Sequence, residues 1–332
     1  MLARVSDAQT DTTSPAFFQT VAPDSADPAI ELRAGIASER PWVPPWYLYD
    51  VVGSRLFDVI TVLPDYYPTR TEAAILERHA AAMAEATPVT GGTLIDLGAG
   101  SCEKAPKLFG ALQPRQYVPV DISVDYLRAV VESLQGEHPD IEMIGVGTDF
   151  SRHLVLPDAV HDERRVFFYP GSSIGNYDPA EARAFLQRVR SQMGPDAAMW
   201  IGVDLVKDVD VLERAYDDVL GVTAAFNRNL LNNVNRVAGT DFAPEDWEHV
   251  ARFDTEQSRI EMHLEARREL AVTWPDGERR FAAGERIHTE SSYKYTPDAF
   301  RELLRSADLE PVEMWTDDRD WFAFFVARPA AR

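Results

Sequence analysis

Three short stretches carry residues suited to holding a ligand: Asp96-Leu97-Gly98-Ala99-Gly100-Ser101, then Asp121, then Asp149-Phe150. Each closes an apolar run, at 92–100, 116–123 and 141–150. Two glycines let the backbone turn sharply and approach a ligand without a Cβ in the way. An acid closing the next run is placed to accept hydrogen bonds from two ribose hydroxyls. An acid closing the third can accept from an adenine amino group, with the Phe150 ring packed on the base. A dinucleotide fingerprint needs a third glycine, and Glu103 stands there instead. Its carboxylate would repel a pyrophosphate, which disfavours NAD and FAD. No G-x-x-x-x-G-K-[ST] phosphate loop occurs, and Gly171-Ser172-Ser173-Ile174-Gly175 is read as misplacing the serine of a G-x-S-x-G nucleophile elbow. A phosphate-free adenosine joined to a zwitterionic amino acid, S-adenosylmethionine (SAM), fits these groups better.

The elements that must position them follow from hydropathy patterning. Apolar runs at 92–100, 116–123, 141–150, 164–176 and 197–206 alternate with helical patterns at 102–112, 124–136 and 179–194. Such alternation is the signature of a parallel sheet covered on both faces. Upstream, 29–39 suits a short helix, 47–60 (YLYDVVGSRLFDVI) one amphipathic helix, and Thr71-Glu72 opens a long helix to about Ala86. Downstream the alternation breaks. Residues 208–236 read as one helix, 259–273 and 279–296 as strands about a Pro-Asp-Gly turn, and 311–317 with 320–329 as an antiparallel edge pair. Residues 1–28, rich in Ser, Thr, Asp, Ala and Pro, read as a mobile tail.

Composition excludes several classes. The 332 residues are 45% hydrophobic, enough for a sizeable core. They hold 33 Lys+Arg against 54 Asp+Glu, a net charge of -21. That field opposes nucleic acid and anionic membranes, so neither is expected as a partner. No stretch has the roughly 20 apolar residues of a membrane span, and the first residues (MLARVSDAQTDTTSP) lack an apolar signal core. The single cysteine, Cys102, suits a reducing compartment, and a cytoplasmic location is expected. One Cys and seven scattered His leave no zinc-type cluster, and no metal is expected. The Pro44-Pro45-Trp46-Tyr47 stretch resembles a motif of amino-methylating DNA enzymes, but it precedes the first sheet strand and is read as helix-start packing.

The glycine turn, the two strand-end acids and the closing antiparallel pair together resemble the class I SAM-dependent methyltransferase fold, an α/β Rossmann-like sheet. Five further segments are more specific: 49–76 (YDVVGSRLFDVITVLPDYYPTRTEAAIL), 170–176 (PGSSIGN), 204–231 (DLVKDVDVLERAYDDVLGVTAAFNRNLL), 259–267 (RIEMHLEAR) and 281–295 (FAAGERIHTESSYKY). They resemble the L-histidine Nα-methyltransferase family of ergothioneine biosynthesis, which makes hercynine. The resemblance covers about residues 40–330.

The resemblance implies L-histidine as substrate, SAM as methyl donor and S-adenosylhomocysteine as product. It implies that Tyr66, Glu290 and Ser292 hold the imidazole ring, and that Asn176, Tyr216 and Tyr49 hold the carboxylate and α-amino group as the catalytic set. Phe57 and Met262 would line the pocket. Gly98, Lys104, Asp121, Asp149 and Phe150 would contact SAM, with Tyr49 close to both ligands. The residue types suit the task. A carboxylate such as Glu290 selects a ring N–H, and hydroxyls adapt to either tautomer. His288, two residues from Glu290, is read as a partner on the same strand face without a catalytic role, and Asn227, Asn229, Asn232, Asn233 and Asn235 as a hydrogen-bonding helix stripe.

The expected organisation is a tail (1–28), an N-terminal part of a substrate-binding α+β lobe (29–70), a SAM-binding core (71–206), an inserted substrate-binding lobe (207–296) and a C-terminal part of the core (297–332). A monomer is expected. Two rival readings remain at this point. One is a related enzyme acting on tryptophan or tyrosine, against which Glu290 and Met262 speak. The other is a SAM binder without turnover, which would need no second amino-acid clamp such as Asn176 and Tyr216.

Overall fold

A computed structural model of the chain describes residues 2–4, 14–20, 27–87, 89–122 and 124–331. In chain order the strands are β1 (Leu2–Arg4), β2 (Ala16–Thr20), β3 (Thr93–Leu97), β4 (Gln116–Asp121), β5 (Glu142–Gly147), β6 (Arg165–Tyr169), β7 (Ala198–Asp204), β8 (Trp247–Asp254), β9 (Arg259–Ala266), β10 (Leu270–Trp274), β11 (Gly277–Phe281), β12 (Arg286–Tyr293), β13 (Leu309–Thr316) and β14 (Phe322–Pro329). The α-helices are α1 (Pro28–Ala37), α2 (Val51–Ile60), α3 (Tyr67–Ala86), α4 (Phe109–Leu112), α5 (Val124–Glu137), α6 (Pro179–Ser191), α7 (Val209–Tyr216), α8 (Val222–Ala238) and α9 (Pro297–Ser306). They form two compact units, one from Met1–Pro23, Thr71–Leu205 and Tyr295–Arg332, the other from Asp24–Arg70 and Val206–Lys294.

The first unit is built on a sheet of order β1-β2-β5-β4-β3-β6-β7-β14-β13. Strands β2 to β7 run parallel, while β14 pairs antiparallel with β7 and β13 with β14. β3, β6 and β7 are buried along nearly their whole length, which explains their continuous apolar runs. The strand order reverses at β3, whose neighbours are β4 on one side and β6 on the other. Beside such a switch point the loops after the strands splay apart and leave a crevice. This is the expected class I arrangement with its closing antiparallel pair.

The tail expectation needs correction where residues are described. β2 extends the sheet through parallel pairing with β5, and Phe17 is buried. Gln19 accepts a hydrogen bond from the Val124 N–H at 3.1 Å. The segment AFFQT supplies enough apolar surface for a short strand one in from the sheet's edge, although polar sequence surrounds it. Residues 5–13 and 21–26 lie outside the described residues.

The second unit packs α1, α2, α8 and a three-stranded antiparallel sheet, β12-β9-β8, around a core that includes Leu32, Ile36, Ile60, Phe226, Leu230, Trp247, Met262, Leu264 and Ile287. The asparagines of α8 are its polar staples. Asn229 donates to Asp50 Oδ1 (2.8 Å), Asn233 to the Tyr47 carbonyl (2.8 Å) and Asn235 to the Phe242 carbonyl (2.8 Å).

Four expectations change here. The helical run 208–236 breaks at Asp217–Gly221: Gly221 has φ +73, and the Asp218 carboxylate accepts from the N–H groups of Val222 and Thr223 at the start of α8. The run 47–60 splits into a 3-10 turn (Pro45–Leu48) and α2, because Asp50 caps α2 by accepting from Gly53 N at 2.8 Å. The Pro-Asp-Gly turn joins only the short pair β10-β11; β9 instead pairs with β12 and with β8, a strand the sequence reading lacked. The long helix also starts earlier, at Tyr67, which places Glu72 inside it.

Candidate active site

In the first unit the chemistry-bearing groups stand at strand ends. Gly98 and Gly100 after β3 have φ +70 and +53, the left-handed region that glycine enters without strain. A Cβ on Gly98 would lie 3.5 Å from Phe150 Cζ, so the glycine leaves the space beside that ring open. Asp121 ends β4. Its carboxylate accepts from Gly100 N (3.0 Å) and Ile122 N (2.7 Å), which locks its orientation against the glycine turn. A carboxylate has about four acceptor positions, so capacity remains for a pair of ribose hydroxyls. Asp149 accepts from Ser151 N at 3.1 Å and from the Ser151 hydroxyl, and Arg152 approaches at 3.6 Å. These groups fit an adenosine held through its hydroxyls and base, with no cluster of donors aimed at a phosphate.

Lys104 lies beyond the glycine turn. Its ammonium binds Glu72 Oε2 at 2.5 Å, and the other Glu72 oxygen accepts from Gly171 N at 2.5 Å. Glu72 is 1% exposed, so one buried carboxylate ties the loop after β3 to the loop after β6. Sequence reasoning used Glu72 only as a helix opener and missed this role; no spacing rule reaches from 72 to 104 and 171. Asp96 is buried at the end of β3, accepts from Tyr117 OH at 2.9 Å, and is pushed up to about 7 by that burial. Burial also pushes the Cys102 thiol up to about 12, which keeps it protonated and unreactive.

Asn176 closes a 3-10 turn (Ser173–Asn176) after β6 and is exposed. The residues Gly171-Ser172-Ser173-Ile174-Gly175 do spell G-x-S-x-G, so the letters alone do not exclude an elbow. The geometry does: Gly171 and Ser172 are left-handed but Ser173 is not, and Ser173 donates to the Pro170 carbonyl at 3.2 Å within an ordinary 3-10 turn.

In the second unit the candidate residues assemble from distant segments. Tyr49 sits at the break between the 3-10 turn and α2. Its ring centroid is 5.5 Å from Phe57 and 5.5 Å from Phe226, both edge-on. Phe57 lies 6.2 Å from Tyr66, and Tyr66 lies 6.2 Å from Tyr216. The chain of rings makes an aromatic wall from Tyr49 to Tyr216. From there Tyr216 OH donates to Ser292 Oγ at 2.9 Å, and Lys294 Nζ donates to both oxygens at 2.8 Å.

Glu290 is paired across the sheet with Met262, and both side chains are buried. Burial raises the Glu290 carboxyl to about 7, and the nearby Lys294 charge works against that rise. The structure thus brings Tyr49, Phe57, Tyr66, Tyr216, Met262, Glu290 and Ser292 into one unit, whereas Asn176 and the five expected SAM contacts belong to the other. Lys294 and Phe226 were missed. Lys294 had a signal: Glu290, Ser292 and Lys294 recur every second residue, the spacing of one strand face.

His288 does not share that face. A bulge between His288 and Glu290 breaks the two-residue alternation. His288 therefore meets His263 (ring centroids 5.3 Å apart) and Ser291 Oγ (2.9 Å), while Glu290 joins Met262 on the other side of the sheet. The expected same-face pair is replaced by two separate faces. Another histidine supports the cluster from behind: His249 Nε2 lies 2.8 Å from the Tyr216 carbonyl, and its Nδ1 is 2.9 Å from Asn227 Nδ2.

Comparison with known proteins adds a family. A profile described as histidine-specific methyltransferase, SAM-dependent, matches residues 29–329. The chain is 41% identical to the histidine N-alpha-methyltransferase of Mycolicibacterium smegmatis, over 92% of this chain and 97% of that one. It is 31% identical to ergothioneine biosynthesis protein 1 of Neurospora crassa, over 86% of this chain and 33% of that much longer one. Among solved structures, the CcbJ methyltransferase of Streptomyces caelestis covers 77% of this chain and 95% of its own at 16% identity, with a TM-score of 0.46.

Proposed function

Since the chain belongs to the histidine-specific, SAM-dependent methyltransferase family, we propose that it methylates the α-amino group of L-histidine three times, giving hercynine for ergothioneine biosynthesis. The observation that supports this substrate most directly is the set of buried Glu290, Ser292 and Lys294 with the half-buried Tyr216, which lies inside the family match. It offers a carboxylate acceptor beside hydroxyl donors, the complement of an imidazole with one N–H and one bare nitrogen. A ligand lacking the ring N–H leaves a buried carboxylate unpaired, which is how such a site rejects close analogues.

In this reading Glu290 accepts the ring N–H, and Tyr66 and Ser292 complete the ring contacts. Asn176, Tyr216 and Tyr49 hold the carboxylate and α-amino group. Met262 and Phe57 form the wall. On the cofactor side Asp121 takes the ribose hydroxyls, Asp149 and Phe150 the adenine, and Gly98 and Lys104 complete the contacts. SAM supplies an electrophilic methyl group on its sulfonium. The protein's part is to present an unprotonated amine in line with it, and orientation of this kind can supply much of the barrier reduction. As methyl groups accumulate the amine becomes a fixed cation, which the faces of Tyr49, Phe57 and Phe226 accommodate. A monomer in the cytoplasm acting on a free amino acid completes the proposal.

The test is direct. The purified protein is incubated with SAM and each common amino acid in turn, and the products are weighed by mass spectrometry. Histidine gaining three methyl groups is the expected result. A gain on another amino acid and none on histidine would refute the substrate.

A further inference from the structure

Lys294 is 2% exposed, yet none of the roles above uses its charge. It follows Ser292 on the same face of the strand path, and its backbone N–H bonds the Ser258 carbonyl at 2.8 Å, which extends the β12–β9 pairing by one residue. Its ammonium, Tyr216 Oη and Ser292 Oγ form a closed triangle with sides of 2.8, 2.8 and 2.9 Å. The ammonium also lies 4.7 Å from the centre of the Tyr216 ring.

The triangle has a fixed arithmetic. An ammonium donates and never accepts, whereas each hydroxyl carries one proton and two lone pairs. Lys294 gives a proton to each oxygen and can take none back. One hydroxyl proton is used on the Tyr216–Ser292 edge. The other has no acceptor inside the triangle and must point out of it. Without the ammonium each oxygen regains a free lone pair, so either hydroxyl can accept from a ligand and neither is committed as a donor.

We propose that Lys294 sets the hydrogen-bond polarity of this cluster, committing the Ser292–Tyr216 pair to donate toward the bare ring nitrogen of the amino-acid substrate while Glu290 accepts from the opposite ring N–H. Lys294 is thus a positioning residue that selects an aromatic ring bearing both a donor and an acceptor. The inference deepens the proposed function and rests on the second unit being the amino-acid site.

The experiment uses the full-length protein with S-adenosylhomocysteine present. Calorimetric binding of L-histidine is compared with that of β-(pyrrol-2-yl)alanine, which keeps a ring N–H but has no acceptor nitrogen. Titrations are run at about pH 8.5, where carboxylates of ordinary or moderately raised pKa are ionised. For Lys294→Met, histidine affinity is expected to fall at least tenfold, pyrrolylalanine affinity less than threefold, and S-adenosylhomocysteine affinity less than twofold. For Lys294→Arg, which keeps the cation and its donors, the preference for histidine is expected to survive. Equal losses for the two amino acids, or a histidine loss under twofold, would overturn the inference. If Lys294→Met does not fold, Lys294→Arg decides alone: a retained preference supports the inference and an abolished one overturns it. Wild-type protein that binds no histidine would overturn the substrate reading itself, and the inference with it.

Discussion

In the first unit Asp121 and Gly98, two of the groups proposed to face a ligand, are set by backbone. Asp121 is oriented by the N–H groups of Gly100 and Ile122, and Gly98 matters because it has no side chain. In the second unit such groups are held by one another. Lys294 binds Tyr216 and Ser292, Tyr216 is backed at its carbonyl by His249, and Glu290 shares its buried face with Lys294. A backbone-held acid keeps its geometry when a neighbouring side chain is lost. A network of buried side chains does not, because each member removed leaves another unpaired in a medium where that is costly. The first arrangement suits a cofactor common to many reactions, and the second suits discrimination among substrates.

The contrast can be broken most sharply at Glu290. Glu290→Ala removes the acceptor proposed for the ring N–H and a carboxylate that feels the Lys294 charge. Leaving a buried group unpaired costs about 1–3 kcal/mol, more where a charge is involved, so kcat/KM for histidine is expected to fall about a hundredfold. The affinity for SAM, measured by equilibrium binding, should change less than twofold. A parallel loss of both would show that the two sets of groups are not separable.

Glu72→Ala makes the complementary break and is expected to be smaller. It frees the Lys104 ammonium, whose side chain is 38% exposed and can turn to water, and it unpairs Gly171 N. The SAM affinity is expected to fall about tenfold, which corresponds to about 1.4 kcal/mol, while the preference for histidine over tryptophan stays unchanged. A changed preference would mean that the carboxylate at 72 governs substrate choice as well.

How far the sequence could be read follows from the same difference. The parallel strands of the first unit were legible because β3, β6 and β7 are buried on both faces and so are apolar without interruption, and because glycine turns and acids punctuate the strand ends. β2 was not, since AFFQT is a short strand, one in from the sheet's edge, set in polar sequence. In the second unit, β8 escaped because only its first residues alternate in burial, and the bulge at His288 inverts the face assignments that period-two reasoning gives. The ring of Tyr49, Phe57, Tyr66 and Tyr216 cannot be derived from spacing at all. Tyr49 and Tyr216 lie 167 positions apart in the chain, and the four rings meet only in the folded unit. A family resemblance supplied what local patterning lacks, and even it passed over Lys294 and Glu72, which touch other protein side chains.

The finest test of the contrast is by pH. Two buried carboxyls, Asp96 in the first unit and Glu290 in the second, are both raised to about 7 by burial. Asp96 accepts from Tyr117 OH and belongs to the cofactor-side unit; Glu290 is the acceptor assigned to the substrate ring. The ionised form of Glu290 is the accepting form, so histidine affinity should be full well above pH 7 and fall as pH drops through about 7. At about pH 6 roughly a tenth of a group titrating near 7 remains ionised, so the expected loss is about tenfold. The imidazole of free histidine titrates near 6.5 and contributes to the same limb, but it contributes equally to any variant. Glu290→Gln keeps a carbonyl acceptor that does not titrate. The variant should therefore retain only the ligand's own pH dependence, and the ratio of wild-type to variant affinity should fall about tenfold between about pH 8 and about pH 6. A ratio that stays flat would place the titrating group elsewhere and remove Glu290 from the ring contact. A SAM affinity that follows the same curve would tie the limb to Asp96 and to the backbone-held unit.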